Sequence, residues 1–121
     1  MSFVCIVDDD ASIRNSVGSL LKAVGYATVT FPSGEEFLAS PMVDDALCVL
    51  LDLSMQGMQG LEVQRQLNAE QRRIPVVFMS AHGDDEVVRE ALQHGAVSFL
   101  HKPFVEEVLL DSIELAVGRK S

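Results

Sequence analysis

Three runs in this chain are apolar at every position: "FVCIV" (3–7), "LCVLL" (47–51) and "VVFM" (76–79). A strand wetted on one face would alternate polar with apolar residues, so these runs are built to be covered on both faces. Between them lie stretches with apolar residues three and four apart, the spacing of one helix face. Ile13, Val17, Leu20, Leu21 and Val24 form the first such face, stopped by Gly25. Tyr26 to Phe31 reads as a second strand, and "SGEE" from Ser33 is a capping box that opens a short helix through Leu38. The third strand runs from Leu47 to Asp52, and Leu61 to Leu67 gives a third helix that ends before Pro75. Val76 to Ser80 is the fourth strand; Val87, Val88, Ala91 and Leu92 mark a fourth helix closed by Gly95. Val97 to Leu100 is the fifth strand, and Val105 to Val117 carries the last helical pattern.

Strand and helix thus alternate five times within 121 residues. That pattern predicts one α/β domain over residues 1–121, a doubly wound parallel sheet of five strands with helices on both sides. In such sheets the ligand site lies just beyond the carboxyl ends of the strands, so the residues at those ends are the ones to read.

The first strand ends at Asp8 and Asp9, with Asp10 next; the third ends at Asp52. The fourth ends at Ser80, followed by Ala81, His82 and Gly83, and the fifth runs into Lys102 and Pro103. The second ends in Phe31-Pro32, which offers no comparable chemistry. Two unit charges at about 4 Å in an effective dielectric near 20 repel by roughly 4 kcal/mol, so clustered carboxylates need an offset. A small, hard cation with oxygen ligands supplies one, with Mg²⁺ the candidate and Mn²⁺ a substitute. Without it, the carboxyl pKa values of Asp8, Asp9 and Asp52 are expected to rise on folding. Asp52 would keep an oxygen free to attack phosphorus, and Ser80 and Lys102 would hold phosphoryl oxygens. The plainer readings are that Asp10 is a helix N-cap, that Asp52, Ser80 and Lys102 are turn residues, and that Phe99 is core. His82, His94 and His101 lack ligand spacing with one another and read as solvated, with His82 close enough to Ser80 to touch phosphate loss.

Eighteen acidic residues against nine basic ones give a net charge of −9. This argues against nucleic acid or an anionic membrane as a partner of this chain alone, and suits a cation or a basic partner. No apolar run reaches the roughly 18 residues of a membrane span, and the N-terminus lacks a signal-peptide pattern, so the expected location is cytoplasmic. Cys5 and Cys48 sit inside apolar runs and read as buried free thiols of a reducing compartment.

The motifs "VDDD" (7–10), "LLDLSMQGMQG" (50–60), "MSAHGD" (79–84) and "FLHKPF" (99–104), in this order at these strand ends, resemble the receiver domain of two-component response regulators over essentially the whole chain. "AHGD" and "GAVSFLHKPF" are most similar to receivers that precede a helix-turn-helix transcriptional output domain. The resemblance implies a flavodoxin-like fold with strand order 2-1-3-4-5. It implies Asp52 as the phosphoacceptor for a sensor histidine kinase, with Asp9 a direct metal ligand, Asp8 acting through water and Ser54 through its backbone carbonyl. Ser80, with Ala81 beside it, and Lys102 would bind the phosphoryl group; Phe99 would be the switch aromatic; the Lys102-Pro103 bond would be cis. It implies a switch rather than an enzyme, with phosphorylation-dependent homodimerisation through the fourth helix, fifth strand and fifth helix.

The chain departs from the receiver pattern at Gln56, where proline is usual, and Gly57 follows, so a less rigid loop is expected there. Ser80 stands for the commoner threonine, and Phe99 where tyrosine is frequent. A Mg²⁺-dependent aspartyl-phosphate phosphatase remains an alternative, though Ser54 stands where such enzymes place a second acid. A stand-alone receiver acting by protein binding is another. A flavin or nucleotide carrier would want a glycine-rich loop where this chain has "DDDAS".

Overall fold

The structure, a computed structural model, describes residues 2–81 and 85–120. Five strands, β1 (Phe3–Val7), β2 (Ala27–Phe31), β3 (Cys48–Asp52), β4 (Val76–Ser80) and β5 (Ser98–His101), alternate with five helices. The helices are α1 (Ala11–Ala23), α2 (Gly34–Ala39), α3 (Gly60–Ala69), α4 (Asp85–Gln93) and α5 (Glu106–Lys120). The strands are all parallel, in the order β2-β1-β3-β4-β5. This is the doubly wound five-stranded sheet expected from the sequence.

The uninterrupted apolar runs are explained by two cores, one on each face. From β1, Cys5 and Val7 join Phe37, Val63, Leu67 and Ala91 on the α2–α3–α4 side. Val4 and Ile6 point the other way, onto Val17, Leu21, Leu109, Ile113 and Ala116 of α1 and α5. β1, β3 and β4 are buried at every residue. β2 is an edge strand and only half-buried, which is why its threonines are tolerated.

Helix ends follow local chemistry. The Asp10 side chain accepts from the Ser12 N–H and caps α1, and Ser33 does the same for α2 through the Glu36 N–H. Gly25 and Gly95, at φ +101° and +105°, end α1 and α4. The amide after each glycine, Tyr26 or Ala96, reaches back to Leu21 or Ala91, so Tyr26 belongs to the helix cap rather than to the strand. A short 3₁₀ turn, Pro41–Asp45, has no counterpart in the sequence reading: it buries only Val43, and one apolar residue makes no period.

The start of α3 is pressed against the end of β3. The Gly60 N–H donates to the Leu53 carbonyl at 3.0 Å. A Cβ at Gly60 would overlap the Asp52 carbonyl oxygen and lie 2.9 Å from Leu53 Cα. Gly60→Ala should therefore destabilise the domain by about 1–3 kcal/mol through overpacking, even though alanine favours a helix interior by up to about 1 kcal/mol. Urea melts of both proteins measure it; a variant as stable as the parent would contradict the close approach.

Candidate functional site

β1, β3, β4 and β5 deliver their last residues to one edge of the sheet. Asp8 is fully buried, Asp52 is 5% exposed, and Asp9 is exposed. Ligand oxygens from these three carboxylates lie within 4.8 Å of one another. Lys102 reaches across from the β5 side: its Nζ is 2.6 Å from Asp8 Oδ2 and 3.5 Å from Asp52 Oδ1. The other Asp8 oxygen accepts the Asp10 N–H at 2.9 Å, and the Asp8 carbonyl accepts from Arg14 Nη1 at 2.7 Å. An ammonium ion thus provides part of the offset that the clustered charges require. The donors present, three carboxylates with Asp9 open to solvent, suit a hard divalent cation, which prefers oxygen ligands and retains waters.

The loop from β3 to α3 is fastened by side chains and amides. The Ser54 N–H donates to Asp52 Oδ1 at 3.3 Å. The Gln59 amide brackets the Met55 backbone, Nε2 donating to the Met55 carbonyl at 2.8 Å and Oε1 accepting the Met55 N–H at 3.2 Å. Glu62 in turn accepts the Gln59 N–H at 3.2 Å. Met55 is buried beneath the loop, and the Gln56 N–H donates to Asp9 Oδ2 at 3.0 Å. The sequence predicts a looser loop here for want of proline; these hydrogen bonds fasten it by another route. Residue type alone does not announce them, because four of these five donors are backbone amides placed by the fold.

Ser80 is buried at the end of β4, and its carbonyl accepts the Lys102 N–H at 2.8 Å, which ties the two strand ends together. Ala81 is exposed beside it, as is Ser54 next to Asp52. The Lys102-Pro103 peptide bond is cis. Phe99 is half-buried on β5, with the His101 ring edge-on at 4.9 Å between centroids. His82 lies outside the described residues. His94, whose Nδ1 is 2.8 Å from the Glu90 carbonyl, and His101 are both exposed. Cys5 and Cys48 are free and buried, and burial pushes both thiols up to about 12, well out of reactive range. At the opposite end of the sheet, a shallow cleft of about 480 Å³ is lined in part by Arg72, Arg73 and Arg119. Arg72 there is engaged by Asp44, Glu70 and the Leu38 and Ser40 carbonyls.

Burial raises the Asp52 carboxyl to about 6, helped by the charges of Asp8 and Asp9 and opposed by Lys102 and the Ser54 N–H. Burial is thus the largest single cause, ahead of the repulsion from either neighbouring acid. Burial alone would lower Lys102, but its hydrogen bond to Asp8 and the charges of Asp52 and Asp8 outweigh that and hold it above its ordinary value.

A carboxyl raised from 3.8 to about 6 binds more protons folded than unfolded between those values, so stability falls as pH climbs through that window. In the presence of chelator, Asp52→Asn should remove that pH dependence. The variant should be more stable than the parent at pH 7 by about 1–3 kcal/mol. Denaturant melts from pH 4 to 8 check both; a variant less stable at pH 7 would show that Asp52 serves as a structural anion.

The profile of the response regulator receiver domain matches residues 4–114. Nodulation protein W of Bradyrhizobium diazoefficiens is 39% identical over 118 residues, covering 98% of this chain and 52% of that protein. The transcriptional regulatory protein TdiR of Thauera aromatica is 37% identical, covering 97% of this chain and 52% of its own length. Among solved structures, that of FixJ-N superposes with a TM-score of 0.89 at 36% identity, covering 98% of this chain and 94% of that one. The response regulator StyR superposes with the same TM-score at 40% identity, over 98% of this chain and 60% of that one. The chain spans about half the length of the curated relatives it matches. With the fold, the strand-end acids and these likenesses in agreement, the chain belongs to the receiver domains of two-component response regulators, and its homologues include regulators of transcription.

Proposed function

We propose that this domain accepts a phosphoryl group on Asp52 from the phosphohistidine of a sensor histidine kinase and uses it to reshape a protein-binding surface. One observation carries the reading: Asp52 ends a buried strand among two further carboxylates, with the Lys102 ammonium 3.5 Å from its Oδ1. Receiver domains as a family are phosphoryl-accepting switches of this kind. Asp9 and Asp52 would hold Mg²⁺ directly, Asp8 through water and Ser54 through its backbone carbonyl. When bound, that cation supplies neutralisation of charge on the transferring group.

The chain's own residues do the rest. An Asp52 oxygen attacks phosphorus; the O–P bond forms as the N–P bond breaks, and the electron pair returns to the imidazole nitrogen, which takes a proton from solvent. Lys102, held protonated by its acidic neighbours, moves from sharing Asp8 and Asp52 to binding a phosphoryl oxygen. Ser80 and Ala81, at the end of β4, bind another. Phe99 follows Ser80 inward, and the face made by α4, β5 and α5 changes shape, a two-state equilibrium biased by contacts to the phosphoryl group. Val105 and Val108, 65% and 48% exposed on that side, offer apolar surface for a homodimer. The output is control of transcription, exerted through a second domain in the longer relatives' manner.

With Mg²⁺ and acetyl phosphate the chain should gain one phosphoryl group by mass, and Asp52→Asn should gain none; an undiminished adduct in the variant would overturn the assignment. The same protein should show no turnover of a generic phosphate ester, and sustained turnover would favour the phosphatase alternative. In sedimentation, beryllofluoride with Mg²⁺ should shift the chain from monomer towards dimer. A monomer under both conditions would remove the self-association step.

A further inference from the structure

Gln56 occupies a position where receivers usually carry proline, and what proline lacks is an N–H. Here that N–H is in use: it donates to Asp9 Oδ2 at 3.0 Å across 47 residues of sequence. Asp9 is the exposed acid of the cluster, beside two buried carboxylates that repel it. An exposed aspartate in that field would swing toward solvent unless something held it. The donor is itself held in place, because Met55 immediately before it is bracketed at both its N–H and its carbonyl by the Gln59 amide, and Gln59 is anchored to Glu62.

We propose that the Gln56 backbone amide is a positioning group for cation binding: it fixes Asp9 within ligand reach of Asp8 and Asp52 before a cation arrives. A carboxylate has room for this, since one oxygen accepts the amide while the other stays available to a metal. The cost of crowding Asp9 against its neighbours is then met in the folded, metal-free protein rather than at the moment of binding. The Gln59 bracket is part of the same device, taking over the stiffening that proline gives elsewhere while leaving an N–H where proline has none. The inference rests on Asp9 and Asp52 being the cation ligands, but not on Asp52 ever being phosphorylated.

Calorimetric titration of the whole chain with Mg²⁺ tests it. Gln56→Pro, which restores the family pattern and removes the donor, should weaken binding by about tenfold or more, the usual scale for losing a group that orients a metal ligand. The conservative variant Gln56→Ala keeps the amide and should rescue the affinity. Gln59→Ala, which frees the loop, should weaken binding in the same direction as Gln56→Pro. Amide hydrogen exchange in chelator gives a second readout that needs neither metal nor proline: the Gln56 N–H should be protected in the parent and lose protection in Asp9→Ala. Equal or tighter Mg²⁺ binding in Gln56→Pro, or equal Gln56 exchange in the parent and Asp9→Ala, would overturn the proposal. Neither readout depends on phosphorylation, so a chain that binds Mg²⁺ and shows the protected amide yet takes no phosphoryl group would refute only the phosphoacceptor reading.

Discussion

The contact between Lys102 and Asp8 joins residues 94 apart in sequence and closes the acidic edge of the sheet. Asp8 has no exposure at all, so its charge must be met inside the protein. It is met twice, by the Lys102 ammonium at one oxygen and the Asp10 N–H at the other. Removing one partner of such a pair strands the other, at a typical cost of about 3–5 kcal/mol. The pair does not satisfy Asp52 to the same degree: Lys102 sits nearly 1 Å farther from it, and burial leaves that carboxyl raised to about 6. Asp52 is thus the least satisfied member of the group, and the one whose environment a cation would most relieve.

That arrangement is affordable because the sheet beneath it is covered on both faces. β1 and β3 carry no polar residue before their terminal aspartates, and their side chains divide between two independent cores. Asp52 is therefore presented as the last residue of a strand in a sheet covered on both faces, and Asp8 follows directly on another such strand. The glycine that opens α3 performs the complementary task, letting the helix start against the Asp52 carbonyl and so fixing the loop between them.

The three central strands and the acidic rim were legible in the sequence because each is written in residue type: β1, β3 and β4 are uninterrupted apolar runs that lead into a carboxylate or a hydroxyl. Asp10 and Ser33 were legible as caps for the same reason. Strand order was not readable from periodicity and came only through resemblance, since a parallel ladder leaves no mark of its neighbours. The fastening of the β3–α3 loop was also hidden. Glycine after Gln56 argues for looseness by local propensity, while the bonds from the Gln59 amide to Met55 and from the Gln56 N–H to Asp9 fasten the loop in ways that propensity does not announce. The balance of causes at Asp52 was likewise out of reach, because repulsion can be inferred from adjacent acids while desolvation depends on how deeply β3 is covered.

Past the loop, the same chain of contacts continues. α3 is bound to α4 by three polar ties near the end of α4: Gln64, itself buried, donates to the Ala91 carbonyl at 2.9 Å, Arg65 pairs with Glu90 at 3.0 Å, and Asn68 donates to the His94 carbonyl at 3.0 Å. The Gln64 bond is the costly one to lose, since breaking it would leave a desolvated amide and carbonyl unmatched. Because α3 itself opens against the Asp52 carbonyl, these ties connect the loop behind the acidic rim, α3 and the end of α4 through one continuous run of contacts.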